Sequence, residues 1–106
     1  MDKAAVLEII SRFRKALESK GIRVARLILF GSYATARYDE GSDIDVVVLS
    51  DDFADKGYWE RIEILSDAIY EVFQPIEAVG LTVQEWENGE SEIVDYAKDG
   101  EVVYAA

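Results

Sequence analysis

Two apolar runs constrain this chain most, Val24-Ala25-Arg26-Leu27-Ile28-Leu29-Phe30 and Ile44-Asp45-Val46-Val47-Val48-Leu49; between them lie Gly31-Ser32, the ten residues 33–42 and Asp43. Runs of this length, rich in branched side chains and bounded by turn formers, predict two strands, the first of them, interrupted only by Arg26, buried on both faces. Successive strand side chains point to opposite faces, so Asp43 and Asp45 share one face while Ile44 and Val46 take the other. Same-face neighbours lie about 6.6 Å apart, and two ionised carboxylates there repel by about 2.5 kcal/mol at an effective dielectric of about 20. A bound cation relieves that repulsion. A short helix over Ser32–Arg37 would aim its first amides and the Ser32 hydroxyl at whatever precedes it, an arrangement that binds phosphate. Hard carboxylate oxygens suit Mg²⁺ or Mn²⁺, which borrow further ligands from substrate phosphates. Together the two halves predict metal-assisted phosphoryl or nucleotidyl transfer. Either half alone is common, and an acidic strand mouth can simply face water; the joint spacing carries the reading.

Composition narrows the chemistry further. The 106 residues, half of them apolar, suffice for one domain over residues 1–106. There is no cysteine and no histidine. Disulfides, thiolate zinc sites, cysteine nucleophiles and imidazole acid–base chemistry are thereby excluded, and catalysis has to run on carboxylates, hydroxyls and metals. No stretch has the length of a membrane span, and charges at Asp2, Lys3, Glu8, Arg12, Arg14 and Lys15 break any signal-peptide core, so a cytoplasmic location is expected. The net charge of −11 is uneven: residues 1–37 hold eight basic and three acidic side chains, residues 38–106 three basic and nineteen acidic. The basic third suits a nucleotide or an acidic partner, and the acidic remainder disfavours long nucleic acid. Arg12, Arg14, Lys15 and Lys20 also read as a solvated helix face.

The spacing of Val6, Ile9, Ile10, Phe13 and Leu17 predicts a first helix stopping at Gly21. Asp51, Asp52, Asp55 and Gly57 mark a loop, after which Trp59, Ile62, Leu65, Ile69 and Phe73 predict a second helix over 58–73 with Trp59 in the core. Pro75 ends it, and a third strand over 76–83 carries Glu77. Thr82 with Glu85 fits a capping box, 93–100 a last helix, and Val102-Val103-Tyr104 an edge strand.

The pattern Gly31-Ser32, ten residues, Asp43-Ile44-Asp45 resembles the minimal nucleotidyltransferases, small members of the polymerase-β-like superfamily. The resemblance extends over the helix–strand–strand–helix–strand order of the chain. It implies an α+β fold, a small mixed β-sheet flanked by helices. It also implies that Asp43 and Asp45 bind Mg²⁺ (or Mn²⁺), that Gly31 and Ser32 hold the triphosphate of ATP, and that Glu77 serves as ligand or general base. Relatives commonly place Asp where this chain has Glu77, and many begin the connection Gly-Ser-Arg-Ala-Arg-Gly where this chain has Gly31-Ser32-Tyr33-Ala34-Thr35-Ala36-Arg37. Arg37 is then the nearest cation for the phosphates. Members of the family are typically encoded beside a HEPN-domain ribonuclease toxin. The implied activity is transfer of AMP from ATP to a tyrosine hydroxyl of that toxin, as the antitoxin of a type VII-like pair. Two alternatives stand beside it: a non-catalytic antitoxin that masks a partner surface, with Trp86 or Tyr104 exposed for the purpose, and a nucleotidyltransferase acting on a small molecule.

Overall fold

The computed structural model describes residues 1–35, 37 and 41–106. Ala36 and residues 38–40 of the ten-residue connection lie outside them. The first helix, α1 (Lys3–Ser19), starts where the Asp2 carboxylate accepts the Ala5 N–H at 2.8 Å, and its predicted stripe from Val6 to Leu17 is buried throughout. The chain leaves it through Gly21, whose φ of +88° is open to a residue without a Cβ.

Strand β1 (Arg26–Phe30) runs antiparallel to β2 (Ile44–Leu49), and β2 runs parallel to β3 (Ile76–Leu81), the crossover between them being helix α2 (Tyr58–Val72). The last strand, β4 (Glu101–Ala105), pairs antiparallel with the other side of β1, giving the order β3-β2-β1-β4. One sheet face carries Leu27, Leu29, Ile44, Val46, Val48 and Ile76 and packs on α1 and α2 with Phe13, Leu17, Leu65, Ala68 and Val72. The opposite face carries Ile28, Val47, Leu49 and Leu81, covered by two short helices, α3 (Val83–Asn88) and α4 (Glu92–Ala97), through Trp86, Ile93, Val94 and Ala97. The expectation that the first strand is buried on both faces therefore holds, and β2 is buried on both as well.

Helix α3 has the predicted capping box: Thr82 Oγ1 accepts the Glu85 N–H at 3.0 Å, and Glu85 accepts the Thr82 N–H at 2.8 Å. Helix α2 ends a residue earlier than expected, with Phe73 in the left-handed region at φ 58°. Its core line also differs. Trp59 is 77 % exposed and Phe73 81 %, whereas Leu65, Ala68 and Val72 are buried. The helical period is as predicted, but at about 3.6 residues per turn Trp59 lies roughly a third of a turn from the Leu65–Val72 line, so it faces solvent.

Candidate active site

The antiparallel register sets Phe30 opposite Asp45, so the step from β1 into Gly31 happens beside the first turn of β2. Gly31 has φ +73°, and a Cβ built on it would overlap Asp45 Oδ2 and lie 3.2 Å from Asp45 Cγ. The Gly-Ser turn and the carboxylate expected to hold the metal are thus in direct contact. A single 3₁₀ turn over Gly31–Tyr33 follows, continued by Thr35 N–H donating to Gly31 O at 3.3 Å and Arg37 N–H donating to Ser32 O at 3.0 Å. This is tighter and shorter than the helix expected over Ser32–Arg37. Arg37 is exposed and tethered to the Ser32 carbonyl.

The parallel register of β2 with β3 pairs Asp45 with Glu77. Alternation puts both side chains on the sheet face that carries Val47, Val79 and Leu81, before that face disappears beneath α3 and α4. Their carboxyl groups come within hydrogen-bonding reach. Partial burial, that hydrogen bond and the negative charges of Glu77 and Asp43 together push Asp45 up to about 6. Asp43 precedes β2 and is exposed. The expected site residues Gly31, Ser32, Asp43, Asp45 and Glu77 therefore gather at one end of the sheet. Among the described residues no three acidic side chains are drawn together into a ready cation cage. The donor set still fits a hard divalent cation of the Mg²⁺ kind, which commonly takes one or two carboxylates and completes its shell with water and substrate phosphate. An excess of crowded negative charge at Asp45 is what such an ion neutralises.

Sequence reading missed the contact between Gly31 and Asp45. The signal was available in the two apolar runs, since antiparallel pairing of strands that flank one connection brings the end of the first against the start of the second.

Comparison with known proteins accords with this arrangement. The chain matches the family described as "Nucleotidyltransferase domain" over residues 10–98. Two proteins of Methanocaldococcus jannaschii, provisionally named protein adenylyltransferases MJ0141 and MJ0604, are 47 % identical over 45 residues and 49 % identical over 43 residues. Those stretches cover 42 % and 40 % of this chain, and the chain spans less than half the length of either relative, 46 % and 43 %. Among solved structures, a provisionally assigned nucleotidyltransferase from Sulfolobus solfataricus superposes with TM-score 0.73 at 17 % identity, covering 96 % of this chain and 82 % of the other. A toxin–antitoxin structure with AMP-PNP superposes with TM-score 0.62 at 21 % identity, covering 91 % of this chain and 73 % of the other. These likenesses show a shared fold, the α+β arrangement of polymerase-β-like nucleotidyltransferases.

Proposed function

This chain belongs to the nucleotidyltransferase domain family, and we propose that it transfers AMP from ATP to a hydroxyl group, a tyrosine of a HEPN-type toxin partner, as the antitoxin of a toxin–antitoxin pair. The observation that carries the reading is the contact of the Gly31 turn with Asp45, itself paired with Glu77: a phosphate-binding turn lies against a carboxylate pair. The relatives named as protein adenylyltransferases support the transferred group, and the toxin–antitoxin neighbour with AMP-PNP supports the partner and the nucleotide. We place the reaction in the cytoplasm; among the described residues no helix is long and apolar enough to cross a membrane.

In the reaction the acceptor oxygen attacks the α-phosphorus of ATP, the bond from that phosphorus to the bridging oxygen breaks, and pyrophosphate leaves. Amides of the Gly31–Ser32 turn and the Ser32 hydroxyl would hold the phosphate oxygens, and the exposed Arg37 would draw in the triphosphate. Asp43 and Asp45, with Glu77 beside them, would hold the divalent cation, which offsets the charge of the phosphates. Glu77 also takes the proton of the attacking hydroxyl. With no histidine or cysteine in the chain, a carboxylate is the group suited to that task.

The test is the intact mass of the protein encoded beside this one, co-expressed with it. Wild type should add the mass of one AMP, and Asp43→Asn with Asp45→Asn should bind the partner without modifying it. Neutralisation of the partner by wild type with no mass change would replace the reading with that of a masking antitoxin.

A further inference from the structure

The outward face of α2 carries two stripes that the fold does not use. Trp59, Tyr70 and Phe73 lie along one side, 77–81 % exposed, with Tyr70 and Phe73 edge to face at 6.4 Å. Glu60, Glu63 and Asp67 lie beside them, all exposed, and none forms an ion pair among the described residues. At its C-terminal end the face opens into a groove of about 580 Å³ between Ile69, Tyr70, Phe73 and the Pro75–Ile76 segment. That segment adjoins the carboxylate site: Pro75 O accepts the Ile44 N–H at 2.8 Å, between Asp43 and Asp45 in the chain, and Glu77 follows Ile76. Phe73 is the one non-glycine residue with positive φ among the described residues. A glycine would take that position without strain and without an exposed ring, so folding does not account for a phenylalanine there.

We infer that this face, from Trp59 to the Phe73 groove, docks a protein segment bearing basic and apolar side chains, namely the segment that presents the acceptor hydroxyl. Its role as acceptor rests on the proposed nucleotidyl transfer; the docking does not. Charge complementarity selects the occupant: unpaired carboxylates flank the aromatic stripe, so cations beside apolar groups satisfy both. A second copy of this chain is a poor fit, because it carries the same net charge of −11. An anionic membrane surface is repelled for the same reason.

The probe is a synthetic leucine–lysine helix of roughly 18 residues carrying one tyrosine, long enough to be helical, with its leucine–glutamate counterpart as the control. Binding is followed by amide shifts without ATP, in wild type and in Asp43→Asn with Asp45→Asn. The basic peptide should shift residues of α2 in both proteins and the acidic one should not. Tyr70→Ala with Phe73→Gly, and separately Glu63→Lys with Asp67→Lys, should each weaken binding at least about 10-fold, the loss of a docking hot spot. Glu90→Lys with Asp99→Lys, the same charge change elsewhere, should leave it within about 3-fold. The inference is overturned if the control variant weakens binding equally, if the shifts map to another face, if sedimentation shows this face joining two copies, or if the Tyr70/Phe73 variant loses ATP affinity while keeping the peptide. Peptide docking with no AMP transfer to the neighbour-encoded protein would remove the reaction and leave the docking surface; undiminished AMP transfer to that protein by the Tyr70/Phe73 variant would do the reverse.

Discussion

Gly31 is held to glycine by two separate causes, its left-handed φ of +73° and the Asp45 carboxylate packed where a Cβ would stand. The conformation alone costs a larger residue about 1–2 kcal/mol, and relieving the overlap requires Asp45 to move. Gly31→Ala should therefore lower the melting temperature by several degrees and lower transfer activity by more than that loss of folded protein explains; a variant with unchanged kcat/KM would show that the turn does not serve the reaction. Asp45 supplies a pH signature. Its folded pKa, pushed up to about 6 from an ordinary 3.8, means that the folded state binds the proton more tightly than the unfolded one. Stability from this group is thus fully present below pH 3.8 and is lost as pH rises through about 6. In chelator the melting temperature of wild type relative to Asp45→Asn should fall across that window, and added Mg²⁺ should offset the fall; melts in wild type and variant check both. At Glu77, loss of a positioned base typically costs 10²- to 10⁴-fold. Glu77→Gln should fall in that range with nucleotide affinity little changed, and Glu77→Asp should keep part of the activity. Equal rates for all three would remove Glu77 from the chemistry.

Among the elements, α2 is joined to its surroundings by its buried apolar line and by the polar contacts of Arg61. Its guanidinium donates to Glu85 at 2.7 Å, to Phe53 O at 2.8 Å, to Gly80 O at 3.2 Å and to Lys56 O at 3.0 Å, joining the helix to β3, to the start of α3 and to the loop before α2. Removing a largely buried cation with these partners leaves several acceptors unsatisfied, so Arg61→Met should cost about 2–4 kcal/mol in denaturant unfolding; a change under about 0.5 kcal/mol would contradict this account. Which parts of the architecture the sequence revealed follows from the kind of signal each part carries. The strands declare themselves as apolar runs, and α1 as an amphipathic period with a polar cap and a glycine stop. The Thr82–Glu85 box is a local hydrogen-bond pattern and was readable as one. The buried side of α2 was not, since Trp59 and Phe73 share the apolar character of Leu65 and Val72, and only tertiary packing decides which of them the sheet receives. The pairing of Asp45 with Glu77 depended on the parallel register, which becomes fixed once α2 has crossed over the sheet.

At the scale of the whole molecule, the acidic majority beyond residue 37 and the basic first third do not separate into two lobes. Cations of α1 and of its C-cap reach across to acids of later elements, Lys3 to Glu101 at 2.9 Å and Lys20 to Glu71 at 3.1 Å. Such exposed pairs contribute little to stability, and among the described residues no ion pair is formed by the acids of the outward α2 face, Glu60, Glu63 and Asp67, or by Asp43, Asp45 and Glu77 at the strand mouth. The strand mouth suits a metal and its nucleotide, the α2 face a basic partner. The first of these roles rests on the proposal that this strand mouth moves the α-phosphoryl group of ATP. Incubating the protein and the neighbour-encoded partner with Mg²⁺ and ATP labelled at either the α- or the γ-phosphate tests it most directly. The α-label alone should become covalently attached to the partner, with release of pyrophosphate, and Asp43→Asn with Asp45→Asn should abolish the attachment; attachment of the γ-label, or α-labelling that survives the double substitution, would contradict nucleotidyl transfer at this strand mouth.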